Sequence, residues 1–264
     1  MKNKKIAIIG CGNLGLSILN GLLNQNIPPS NIVATRRNIN LLDHLKDTGV
    51  NLSDDNTEAI NSSEVIIVAL KPYNILEVLN DLHQLFDPKK HILISLATGV
   101  SLKEIQDVIK SPVPIFRAMP NTGADVGKSM TCICSNSDND LAIDTVKYYF
   151  NSIGETILID ESLMDSATVL GACGIAYVLR FIRGMIQGGI QIGFDAKTAT
   201  NIVTHTVQGA AELLIKGNKH PEFEIDKVTT PKGCTIAGLN EMEHNGFSSA
   251  LIKGIVTSFE KIEK

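Results

Sequence analysis

The sequence predicts an α/β fold, with a doubly wound parallel sheet over residues 1–160 and an all-helical domain over 161–264. Short β-branched runs alternate with amphipathic stretches up to Glu161, a GxGxxG turn directly follows the first run, and long helical patterns replace strand-like runs after Glu161.

Ile6 to Ile9, Ile32 to Thr35, Val65 to Ala69 and His91 to Ser95 are near-continuous apolar runs, as expected of parallel strands covered on both faces. Ile115 to Ala118, Met130 to Cys134 and Glu155 to Leu158 are shorter strand candidates. Between them, spacings such as Ile75, Val78, Leu79 and Leu82 place apolar residues on one helical face, which would cover the sheet. From Met164 to Ile192 only Asp165, Arg180 and Arg183 carry charge. A helix apolar on most faces must be buried, and about 100 residues cannot bury it alone, so helices of two chains are expected to pack together in a dimer.

Composition excludes several classes. With 44% hydrophobic residues among 264, the chain has ample apolar surface to fold without staples. A net charge of -4 and no basic run beyond pairs argue against nucleic acid. Five cysteines without CxxC spacing suit a reducing compartment. No small-residue cleavage site follows the lysine-rich start, and no stretch of 18 apolar residues occurs, so a cytoplasmic protein without a membrane span is expected. The six histidines show no metal-ligand spacing, so no metal is expected. Gly123 to Ser129 imitates a phosphate-binding P-loop but has three residues between its glycines where four are needed.

Gly10, Gly12 and Gly15, with Cys11, Asn13 and Leu14 between them, sit where a strand passes into a helix. That context makes the pattern a dinucleotide-binding fingerprint and the first domain Rossmann-like. The first glycine permits the turn, the second the approach of a pyrophosphate, and the third close packing of helix on strand. At the end of the second strand, where an NAD site usually has an acid, stand Thr35, Arg36 and Arg37. Two guanidiniums and a hydroxyl suit the 2′-phosphate of NADPH, which leaves NADH as the less favoured cofactor.

The segment Asp226 to Leu239 resembles the signature of pyrroline-5-carboxylate reductases. The resemblance extends through the glycine turn, Ala69 to Pro72, Ala97 to Val100, Arg117 to Thr122 and Gly174 to Tyr177. It implies a dinucleotide-binding domain followed by a helical domain that builds a homodimer or a higher assembly of dimers. It also implies that Asn56 and Thr35 to Arg37 border the adenosine end of the cofactor. Ala69, Leu70, Lys71, Pro72, Ala97, Thr98 and Gly99 would border the nicotinamide half. The substrate, a cyclic imine carboxylate, would meet Thr230, Gly233, Cys234, Thr235 and Cys173, with Thr235 nearest its nitrogen as the catalytic residue. Where the family reads Ser-Gly-Ser-Gly-Pro-Ala-Tyr, this chain has Gly171 to Tyr177 with Cys173 in place of a serine. The family's Pro-Gly-Gly-Thr-Thr is here Pro231-Lys232-Gly233-Cys234-Thr235, and Gly123 replaces a proline. Thiols are the poorer donors, so substrate affinity is the property these changes touch.

The implied reaction is reduction of 1-pyrroline-5-carboxylate to proline. An imine can arrive protonated, so orientation matters more than a strong general acid, and the motifs hold no acid or histidine in an obvious catalytic setting. Two other readings compete. A β-hydroxyacid dehydrogenase shares the two-domain plan but places a lysine on the long helix, and Glu161 to Gln191 contains none. A non-catalytic NADP(H)-binding regulator would keep the glycine turn and let the substrate residues drift.

Overall fold

The computed structural model describes residues 4–262. Its sheet has eight strands in the order β3-β2-β1-β4-β5-β6-β7-β8. They are β1 Ile6–Ile9, β2 Ile32–Thr35, β3 Asn51–Ser53, β4 Val65–Val68, β5 Ile92–Ser95, β6 Ile115–Met119, β7 Ser129–Ser135 and β8 Gly154–Leu158. Every strand in the expected set forms. Two features depart from expectation. β3 is an additional polar edge strand paired only with β2, and β7 runs antiparallel to β6. The connection from Pro120 to Lys128 is too short for the crossover of roughly a dozen residues that a parallel return needs.

Alternation along the strands splits the core into two layers. Ile6, Ile8, Ala34, Ile67, Ile94 and Phe116 face the layer under helices α1 (Asn13–Asn24) and, beyond α2 (Asn56–Ser62), α3 (Pro72–Leu82) and α4 (Leu102–Ile109), α5 (Asp140–Asn151). Ala7, Ile9, Val33, Ile66, Val68 and Leu93 face the other layer, which is filled by Ala59 of α2, Ile75 and Leu79 of α3 and Ile105 of α4. Helices on both faces explain why these strands are apolar on consecutive residues. Gly123 to Ser129 forms a short 3-10 turn that enters strand β7, the context that excludes a P-loop.

After the sheet the chain is helical, with α6 Met164–Ala167, a π-helical turn Thr168–Cys173, α7 Gly174–Gln191, α8 Ala196–Gly217, α9 Pro221–Val228, α10 Cys234–His244 and α11 Phe247–Ile262. Strands end where the sequence predicts, at about residue 160, but the compact units divide between Ile175 and Ala176. Met164, Thr168 and Val169 are buried, Met164 in the sheet's own core, so the first turns of the helical run count with the first unit.

Within the second unit α7 and α8 approach closely, since a Cβ on Gly189 would lie 3.2 Å from that of Ala199. The Tyr177 hydroxyl donates to Ser258 Oγ at 2.6 Å. Ala199 and Val203 are the buried residues of this unit among those described, while Val178, Leu179, Phe181 and Ile190 are exposed. The continuous helical run Glu161–Gln191 is, by length and composition, apolar enough to cross a membrane, although its sequence lacks an unbroken apolar stretch.

Candidate active site

Register places the N-terminal motifs side by side. Thr35 aligns with Ile9, Ile9 with Val68 and Val68 with Ser95, so four parallel strands end on one row, and Ser53 extends it beside Thr35. The glycine turn, Arg36 and Arg37, Ala69 to Pro72, Ala97 to Gly99 and Asn56 all follow that row within a few residues. Ligands of such sheets bind outside the carboxyl ends of the strands, where the strand order reverses. Here that point lies between β1 and β4.

Each glycine of the turn has a distinct physical reason. Gly10 has φ +83°, and a Cβ there would come within 2.4 Å of Leu70 Cδ2. At Gly15 a Cβ would press on the Gly10 carbonyl oxygen at 3.2 Å and on Ala69 and Ile8 at 3.4 Å. Beside Gly12 there is open space, with only the Gly10 oxygen 3.9 Å from an added Cβ. Gly12 also caps α1 without a side-chain hydrogen bond, and the first turn carries no acid. Asn13 and Leu14 therefore offer free N–H groups at a helix N-terminus, a cradle for an anion. The residues present fit a dinucleotide.

At the end of β2 one hydroxyl joins two segments of the candidate site. Thr35 is buried, and its hydroxyl accepts from the Gly10 N–H at 3.4 Å and donates to Asn56 Oδ1 at 2.6 Å. It therefore ties the turn to Asn56 and has no surface to offer a phosphate. Arg36 donates from NH1 to the Cys11 carbonyl oxygen at 3.3 Å, which lays its guanidinium across the glycine turn. Arg37 is exposed, and among the described residues neither arginine has an acidic partner. Cys11 beneath them is inert, because burial pushes its thiol up to about 12 against the opposing pull of Arg36.

In the loop after β5 Ala97 is buried, Thr98 half-buried and Gly99 exposed at φ +70°. The loop runs into α4, whose start is fastened twice. Ser101 and Glu104 form a capping box, and Glu161 Oε1 accepts from the Leu102 N–H at 2.6 Å. Glu161 also accepts from Arg117 NH1 at 2.9 Å. Sequence reasoning misses Glu161, and its one signal is Arg117, a charge in the otherwise apolar run Ile115 to Met119. Lys71 caps α3 with Pro72 at its first position.

In the second unit Thr230, Gly233, Cys234 and Thr235 share one turn and the start of α10. The Gly233 N–H donates to the Thr230 carbonyl oxygen at 2.9 Å, Lys232 adopts φ +63°, and a Cβ on Gly233 would meet Thr230 Oγ1 at 2.6 Å. Gly233 caps α10 without a side chain and no acid lies in the first turn, so this helix N-terminus also favours an anion. Cys234 and Thr235 are exposed. Cys173 belongs to the first unit, half-buried at the end of the π-helical turn. Among the described residues no cluster of three metal-ligating side chains occurs.

A glycine turn at the switch point of a sheet whose first six strands run 3-2-1-4-5-6, followed by a helical domain, defines the class of two-domain dinucleotide-binding proteins. Residues 5–99 match the family described as NADP oxidoreductase coenzyme F420-dependent, and residues 161–264 match pyrroline-5-carboxylate reductase dimerisation. The chain belongs to the pyrroline-5-carboxylate reductase family, and its second domain is a dimerisation domain. It is 43% identical over 279 residues to pyrroline-5-carboxylate reductase 2 of Dictyostelium discoideum, covering 99% of this chain and 93% of that one. With pyrroline-5-carboxylate reductase 1 of the same organism it shares 43% identity over 269 residues, and there the match takes in 97% of this chain and about half, 49%, of the relative's length. The structure of Plasmodium falciparum pyrroline carboxylate reductase with NADP bound superposes with a TM-score of 0.90 at 29% identity, covering 99% and 98% of the two chains.

Proposed function

We propose that this protein reduces 1-pyrroline-5-carboxylate to proline with NADPH, residues 1–160 binding the cofactor and residues 161–264 dimerising and binding substrate. The observation that carries this is the Thr230 to Thr235 turn, an uncapped helix N-terminus with hydroxyls and no acid, in a chain of this family. NADPH supplies the hydride that adds to the imine carbon.

The chain's own residues bind and orient. Asn13 and Leu14 hold the pyrophosphate through N–H groups, Gly12 leaves room for its approach, and Arg36 and Arg37 hold the 2′-phosphate. Asn56, fixed by Thr35, takes the ribose, while Ala69 to Pro72 and Ala97 to Gly99 wall the nicotinamide. The substrate carboxylate rests on the N–H groups that open α10, Cys234 stands beside them, and the Thr235 hydroxyl hydrogen-bonds the ring nitrogen, where the proton resides; Cys173 is the substrate-binding residue of the first unit. The protein works in the cytoplasm as a homodimer or an assembly of dimers, without nucleic acid or membrane. A second copy would cover the groove of about 730 Å³ lined by residues including Phe181, Met185, Met242, Phe247 and Leu251. That face also accounts for the apolar length of the Glu161–Gln191 run.

Loss of NADPH absorbance with pyrroline-5-carboxylate and purified protein tests the reading. No turnover with this imine or its six-membered analogue would favour the non-catalytic regulator. Thr235→Ala should lower kcat/KM by roughly 10- to 100-fold with NADPH affinity unchanged. An unchanged rate would remove Thr235 from the chemistry.

A further inference from the structure

The segment Arg117 to Thr122 holds a residue that this chemistry leaves unused. Asn121 is buried, 7% exposed, and its polar groups are engaged. Its N–H donates to Ser129 Oγ at 3.0 Å and its Oδ1 accepts from the Gly123 N–H at 2.9 Å, which fixes the residue in its own loop. Its Nδ2 donates to the Gly171 carbonyl oxygen at 3.0 Å, fifty residues further along the chain. Gly171 lies inside the π-helical turn Thr168–Cys173.

A π turn inserts a residue into an α-helix, widens it, and recurs at functional sites. Its backbone groups need partners like any others, and here a pre-ordered side chain supplies one. The insertion also sets helical phase. One residue corresponds to about 100° of rotation, so whether this turn is π or α decides where Cys173, its last residue, projects. The same stretch of chain grips the run at its start, since Arg117 pairs with Glu161 at 2.9 Å. The Asn121 hydrogen bond, in contrast, falls within the π turn itself.

We propose that Asn121 is a positioning residue: through the Gly171 carbonyl it holds the π turn open, aims Cys173, and so sets affinity for the carboxylated imine. This rests on the reading of Cys173 as a substrate-binding residue.

Asn121→Asp is nearly isosteric, keeps the acceptor for Gly123 and loses the donor to Gly171. Its KM for pyrroline-5-carboxylate should rise roughly tenfold at about pH 8, with the NADPH dissociation constant within about twofold of the parent. A carboxyl facing a carbonyl in a buried site is protonated more readily, and its O–H then restores the donor, so the defect relative to the parent should shrink toward about pH 5.5. General loosening of the fold would not be reversed by a proton. Asn121→Ser keeps a capping acceptor but does not reach Gly171, so its KM should be raised at both pH values. The proposal is overturned if neither variant changes KM, if the Asn121→Asp defect ignores pH, or if NADPH affinity falls in parallel. An unchanged KM in Cys173→Ala overturns it through its premise, while parent turnover in the same assay shows that the proposed reaction stands.

Discussion

The Thr35 hydroxyl donates to Asn56 Oδ1 at 2.6 Å, so the residue that ends β2 and the residue that opens α2 are fixed to each other. Because the same oxygen accepts from the Gly10 N–H at 3.4 Å, one buried hydroxyl ties the glycine turn to the start of α2. Thr35→Val keeps the shape and removes both bonds, leaving the part-buried Gly10 N–H without its partner. Stability should fall by about 1–3 kcal/mol in urea denaturation and NADPH binding should weaken with it. Thr35→Ser should retain both. Equal losses in the two variants would mean that the methyl group, not the hydroxyl, matters.

The two arginines differ in what holds them. Arg36 bonds the Cys11 carbonyl and so belongs partly to the turn, whereas Arg37 is exposed and available to a ligand alone. Arg37→Ala should cost NADPH about 1–3 kcal/mol of binding and leave NADH unaffected. Arg36→Ala should weaken both cofactors, NADPH more. Titration of each variant with each cofactor checks this, and equal loss of NADH and NADPH in Arg37→Ala would remove the 2′-phosphate assignment.

Much of this was legible from apolar pattern, and the reasons for the rest are local. β1, β2, β4 and β5 are buried on both faces, so their residues announce themselves, whereas Asn51 to Ser53 pairs on one edge only and is polar. The antiparallel β7 was readable in principle from the short connection before it. Thr35 reads the same in sequence whether its hydroxyl meets a phosphate or Asn56, because only the fold decides which way β2 turns it. The π turn has no compositional mark, and Asn121 joins it by a contact between segments fifty residues apart, beyond the reach of periodicity.

His91 predicts an acid-side loss of stability. It is 3% exposed, its ring packs edge-on against Phe86 with centroids 6.0 Å apart, and its Nδ1 accepts from the Asp87 N–H at 3.0 Å. Burial first, and Lys90 second, hold its pKa below the usual histidine value. The unfolded chain therefore takes up the proton more readily than the folded one. This contribution to stability is complete above about pH 6.5 and declines as the pH falls toward the depressed folded value. The urea midpoint of the parent should drop through that window, and His91→Gln should flatten the drop. An identical pH profile in the variant would place the sensitivity elsewhere.

Arg117 and Glu161 form a pair whose two members should not be equally costly to remove. Glu161 Oε1 serves two donors, Arg117 NH1 at 2.9 Å and the first N–H of α4 at 2.6 Å. Arg117 is almost wholly buried, its Nε has no partner, and Asp165 at 4.0 Å from NH2 is too far to hydrogen-bond. A buried ion pair satisfied this incompletely adds little over an apolar replacement, but losing its anion strands a buried cation. Arg117→Met should thus lower stability by less than about 1 kcal/mol, because Glu161 keeps its bond to Leu102. Glu161→Ala strands both the guanidinium and the helix N–H. Its cost should be about 2–3 kcal/mol, below that of a fully buried pair because the carboxylate is about one-third exposed. The double variant should lose less than Glu161→Ala alone, since no buried guanidinium is left behind. If Arg117→Met proves the more damaging single change, the guanidinium packs or bonds in a way that outweighs its unsatisfied charge, and the clasp on α4 is secondary.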